Sequence, residues 1–204
     1  MKKIILTISA SIFFLLYANA QINFGIKGGL NFSNVKFPGS PNNTTRLGFN
    51  AGLLLQVSIF KMFMLQPELL YSIKGHKFPA TSFDGGGTLS LNYISVPVLV
   101  GFRPTKKITV LAGPEFNFLT TANSKFNGID HDVSKIYRKF NMAVDIGVAY
   151  KIIAGLGAEL RYSYGFEDLV DVTYTDQNGN DIGKDRAGSN RVLQFVVFYK
   201  LFKR

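Results

Sequence analysis

Between Ile22 and Leu201 apolar residues recur at every second position, in eight runs separated by polar stretches. A helix repeats every 3.6 residues and a strand every two, so this pattern excludes a helical protein and requires an all-β fold. Ile22, Phe24, Ile26, Leu30 and Phe32 share one face, and Leu47, Phe49, Leu53, Leu55 and Val57 share the next. The third run holds Phe63, Leu65, Pro67, Leu69, Tyr71 and Ile73, and the last holds Leu193, Phe195, Val197, Tyr199 and Leu201. Each run is about ten residues long, the length a tilted strand needs to cross a bilayer.

The connections alternate as well. Residues 33–46, 74–88, 121–139 and 167–191 are long and rich in Gly, Asn, Asp, Ser and Pro. The other three, at 60–61, 103–107 and 151–155, are short. An even number of strands with long and short connections in turn is the plan of an outer-membrane barrel with long outer loops and short periplasmic turns. The expected fold is therefore an eight-stranded, up-and-down antiparallel transmembrane β-barrel.

Periodicity alone leaves open which face looks outward. A soluble lipocalin-like barrel would turn the apolar face inward and carry a densely charged exterior. Here the polar faces hold small residues, such as Gly25, Gly29, Asn31, Gly48, Asn50, Gly52 and Ser72, which suit a crowded barrel interior. The few strand charges, Lys27, Glu68, Glu115, Asp145, Glu159, Arg161 and Lys200, also fall on the polar face. An inward placement predicts that Glu68, Glu115, Asp145 and Glu159 form a paired network with Lys27 and Arg161, because a buried charge without a partner is expensive. Aromatics including Phe32, Phe49, Tyr71, Tyr93 and Phe140 mark an outer girdle, and Phe24, Phe63, Phe102, Tyr150 and Tyr199 an inner one. Pro67, Pro97 and Pro114 lie inside strands of a barrel that has no edge, so bulges are expected there. Between Leu89 and Phe102 the apolar phase is ambiguous, and a bulge near Tyr93-Ile94 would shift it onto Ile94, Val96, Val98 and Val100.

The first twenty residues read as an export signal. Met1-Lys2-Lys3 is basic, residues 4–17 are largely apolar, and Ala18-Asn19-Ala20 is a small-x-small cleavage motif. Cleavage after Ala20 would divide the chain into a signal peptide, residues 1–20, and a barrel domain, residues 21–204. It would leave 21 basic against 13 acidic residues, and place the product in the outer membrane among its lipids.

Chemistry is sparse. Cysteine is absent, which excludes disulfides, a thiol nucleophile and cysteine-ligated metals. A hydrolase would need a base such as His76 or His131 beside Ser72, Ser82 or Asp130, and both histidines are expected in solvated outer loops. Asp176 to Asp181 has Asp where a calcium loop needs its sixth-position Gly, so an Asn-Gly turn is the simpler reading. No catalytic, cofactor-binding or metal-binding residue is assigned, and an exported barrel does not encounter nucleic acid. The one concentrated feature is basic: Lys61, Arg103, Lys106, Lys107, Lys151, Lys203 and Arg204 lie at the short-turn ends, and none of the 13 acids does. This collar suits anionic head groups or an acidic periplasmic partner.

The staves 21–33, 92–99, 111–116, 144–148 and 159–169, reading QINFGIKGGLNFS, NYISVPVL, LAGPEF, VDIGV and ELRYSYGFEDL, resemble those of the PorT-like outer-membrane β-barrel proteins. The resemblance spans the chain from Gln21 onward. It implies a barrel in which strand prolines are normal, and it transfers no functional residue. Its founding member is linked to protein secretion across the outer membrane. The expected function is structural or interaction-based, through the outer loops or the periplasmic rim. A transport or secretion component is the alternative, with a lipid-modifying enzyme a third.

Overall fold

A computed structural model describes residues 21–36, 44–78, 86–126, 128–166, 168–175 and 181–203. The expected signal segment with Ala20, Ser82, Glu167, residues 176–180 and Arg204 lie outside them. Eleven strands follow in chain order: β1 (Gln21–Lys36), β2 (Thr44–Ser58), β3 (Phe63–Phe78), β4 (Gly87–Phe102), β5 (Ile108–Phe126), β6 (Ile129–Asp132), β7 (Phe140–Lys151), β8 (Leu156–Gly165), β9 (Val170–Thr175), β10 (Asp181–Ala187) and β11 (Ser189–Lys203). Eight of them close the barrel in the order β4-β3-β2-β1-β11-β8-β7-β5, with β5 pairing back onto β4. Every neighbouring pair is antiparallel. β6 folds back on the outer part of β5, and β9 and β10 form a separate hairpin in the last long connection.

The wall decides the question of faces. Phe49, Leu69, Val100, Ile146, Leu160 and Phe195 are exposed, and their strand neighbours are buried. Apolar exposure on this scale, running around the barrel, needs lipid to cover it.

Most strands are longer than the ten residues expected: β5 has 19, and β1, β3 and β4 have 16 each. At about 3.3 Å per residue β5 spans about 60 Å, well beyond what a ~30 Å hydrocarbon core requires even with tilt. The strands therefore take in the ends of the expected long loops, and with them two residues of note. Lys74 and His76 belong to the inward face of β3, both buried, whereas His131 is exposed on β6.

The fourth strand differs from the expected phase shift. Leu89, Leu91, Tyr93, Ser95, Pro97, Leu99 and Gly101 all point inward in unbroken alternation. The register shift opposite Asn92 and Tyr93 is carried by β5, where Thr120 and Thr121 are both exposed in succession. The inward face of β4 is itself apolar, which erased the contrast that phase reading depends on. Tyr93 accordingly leaves the outer girdle and sits in the lumen, fully buried.

The bulges expected at the prolines are replaced by gaps. Pairing lapses between Leu54–Glu68 and Val57–Leu65, between Pro67–Val98 and Leu70–Ser95, and between Pro97–Glu115 and Val100–Ala112, and resumes each time in the same register. By that register Pro67 falls in the first gap, Pro97 in the second and Pro114 in the third. A missing N–H removes a rung without adding a residue.

Candidate functional site

The lumen is filled in layers. Toward the long loops, Val35, Leu89, Leu91, Tyr93, Leu119, Ala122 and Leu169 form an apolar stopper, with Val133 and Tyr137 packed against it. Leu169 comes from the last outer loop, held there by backbone bonds from Arg138 N–H to its carbonyl and from its own N–H to Gly188. Toward the short turns Leu54, Met64, Leu99, Leu111, Ala149 and Phe198 form a second apolar layer.

Polar side chains occupy the space between. Lys27 Nζ donates to Glu68 Oε1 at 2.9 Å and to Glu159 Oε2 at 3.2 Å. Arg161 is 1% exposed and touches three carboxylates: Glu68 at 2.7 Å, Glu159 at 2.5 Å and Asp145 at 3.3 Å. The structure thus brings five of the six expected interior charges into one cluster. The sixth, Glu115, instead pairs with Lys74, which also donates to Asn117 Oδ1 at 3.0 Å. Sequence reasoning missed Lys74 by assigning it to a loop, although its even-numbered spacing from Glu68 and Ser72 puts it on the same face of β3. Amides and hydroxyls extend the network, with Ser95 donating to Asn117 at 2.6 Å and Asn31 to Ser72 at 3.0 Å.

Below the inner apolar layer the barrel opens into a vestibule of about 870 Å³. Its walls include Asn23, Gln56, Thr109, Ala149 and Phe198 from the inward faces of strands, and its rim includes five of the seven collar residues, Lys61, Arg103, Lys106, Lys107 and Lys151, together with Lys200. Among the described residues no Asp or Glu lines it. Arg103, just after β4, reaches over the end of β3 to β2, donating from Nη1 to Ser58 Oγ at 3.2 Å, with Nη2 2.9 Å from Met64 Sδ. The side chains of Lys203 and Arg204 lie outside the description.

The sequence profile of the outer membrane protein beta-barrel domain matches residues 17–171. The chain belongs to that family. No curated protein sequence matches it. Among solved structures it is similar to Ail, the attachment invasion locus protein of Yersinia pestis, at 16% identity and a TM-score of 0.50, covering 88% of this chain and 98% of that one. Ail in complex with the heparin analogue sucrose octasulfate gives 14% identity and a TM-score of 0.51, covering 89% and 99%. Neisserial surface protein A gives 11% and 0.52, covering 87% and 97%. At these identities the likeness establishes the fold alone, a closed eight-stranded barrel; the family makes it an outer-membrane barrel, and in barrels of this plan the short turns lie on the periplasmic side.

Proposed function

We propose that this barrel acts through its surfaces and conducts nothing through its lumen. It is a structural or interaction protein of the outer membrane, engaging partners at its outer loops or at the periplasmic rim. The carrying observation is the filled interior, where two apolar layers enclose a charge network with Arg161 at 1% exposure. Beyond the vestibule the eight strands enclose only the room that side chains occupy, so no water column runs from end to end. Lipids cover the apolar belt, residues 1–20 serve as an export signal cleaved after Ala20, and the chain has no catalytic role in this reading. Reconstitution into planar bilayers tests it. The expected record is a quiet baseline, and a large steady conductance overturns the reading.

Within it, the staves resembling PorT-like barrels support a place in protein secretion across the outer membrane. Affinity capture from outer membranes separates the two roles: recovery of secretion machinery selects the secretion component.

A further inference from the structure

The periplasmic vestibule combines three properties that point to one class of ligand. Five collar side chains, Lys61, Arg103, Lys106, Lys107 and Lys151, surround it, and among the described residues no Asp or Glu lines it. Its volume of about 870 Å³ falls within the ~300–1,000 Å³ typical of ligand pockets. It also presents one buried acceptor with no partner among the described residues, Gln56 Oε1.

The orientation of Gln56 follows from the charge network. Glu68 carries only acceptors, so Gln66 must donate to it through Nε2, which it does at 2.6 Å. Gln66 Oε1 is then an acceptor and receives Gln56 Nε2 at 2.5 Å. Gln56 Oε1 is left over, a buried acceptor on a residue that is 3% exposed and stands in the vestibule wall. Reversing the Gln56 amide would set its carbonyl oxygen against that of Gln66, two acceptors with no donor between them, so the chain of bonds fixes it.

A buried carbonyl oxygen needs an N–H or O–H donor, while the rim needs negative charge. The phosphodiester of a lipid head group satisfies the rim alone, and only heads that carry an ammonium or hydroxyl could also serve Gln56. Lipid head groups also pack around the outer wall, whereas this cavity lies inside the barrel and opens along its axis. An acidic peptide satisfies both demands, its carboxylates meeting the lysines and its backbone N–H meeting Gln56. Leu156, Phe198 and Tyr199 among the lining residues supply apolar surface for such a segment. We infer that the periplasmic mouth is a docking site for an acidic, extended segment of a periplasmic protein. This rests on the interaction reading above and names its partner class.

The test uses the full folded chain in zwitterionic nanodiscs and a fluorescent peptide alternating Glu with apolar residues, followed by anisotropy. The native barrel is expected to bind the acidic peptide, and not its Lys-for-Glu counterpart. Replacing Arg103, Lys106 and Lys107 together by Gln is expected to weaken binding about tenfold at low salt, with the difference shrinking as salt rises. Gln56→Met is expected to weaken the peptide severalfold and leave sulfate binding unchanged, which a purely electrostatic rim would not do. Folding of every variant is checked by the migration of unboiled against boiled protein. Absence of peptide binding by a folded barrel overturns the inference, as does native-like binding by the triple variant. So does equal loss of peptide and sulfate binding in Gln56→Met, or a preference for anionic lipid vesicles that the peptide cannot displace. A conducting barrel that still bound the peptide would fail the reading of the lumen and keep the docking site.

Discussion

Arg161→Ala removes the cation on which three interior carboxylates converge, and its cost follows from the geometry. Glu68 and Glu159 keep Lys27 at 2.9 and 3.2 Å. Asp145 loses the cation it faces at 3.3 Å. Stranding one member of a buried ion pair costs about 3–5 kcal/mol. Water entering the vacated space offsets part of this, so a loss of about 3 kcal/mol is expected. Lys27→Met is the control: both of its carboxylate partners retain Arg161, and the cost should be about 2 kcal/mol. The double variant should depart from additivity, because the two cations share Glu68 and Glu159. The chain has no tryptophan, so unfolding in detergent is best followed by the β-sheet circular dichroism band against urea. An Arg161→Ala midpoint equal to the native one refutes the network as a source of stability. A Lys27→Met loss larger than the Arg161→Ala loss refutes the assignment of Arg161 as its centre.

Lys74→Met should destabilise the barrel by about 3 kcal/mol by leaving Glu115 without the cation it faces, measured in the same urea titration. Gly52→Ala should lower the folded yield and cost about 1–3 kcal/mol, because a Cβ there would lie 2.0 Å from the Leu69 carbonyl oxygen; native-like refolding would show that the wall yields at this point. Hydrogen bonds from the Ser134 side chain and backbone hold the Asp132 carboxyl below the ordinary aspartate range. Ser134→Ala should therefore move its titration upward, read by NMR, and any stability it lends the outer loop is lost as pH falls through that lowered value.

Much of the architecture was legible because lipid on one side and a polar lumen on the other impose a strict contrast on alternate residues. Where the contrast fails, the reading fails. In β4 the inward Leu89, Leu91, Tyr93 and Leu99 are as apolar as their outward neighbours, since they build the two stoppers. Lys74 and His76 were lost because a wall can rise above the bilayer, where polarity no longer distinguishes strand from loop. The same holds for β6 and the β9–β10 hairpin, which are short and largely polar. The collar was visible as a charge asymmetry along the chain. The vestibule behind it was not, since a concavity is a property of closure and leaves no periodic trace.

The three strand prolines are diagonal neighbours: Pro67 stands opposite Val98, next to Pro97, and Pro97 opposite Glu115, next to Pro114. Together they draw an oblique seam of absent rungs across β2 to β5, so the wall is not mechanically uniform. Tension on the barrel would open it first along this line, where amide exchange should be fastest. Two network acids lie on the seam. Glu68 stands opposite Pro97 by the β3–β4 register, and Glu115 opposite Pro97 by the β4–β5 register. Their ties to Lys27, Arg161 and Lys74 run across the lumen to β1 and β8 and, from β5, back to β3. The barrel is thus cross-braced from within at the level where its own hydrogen-bonded hoop is incomplete.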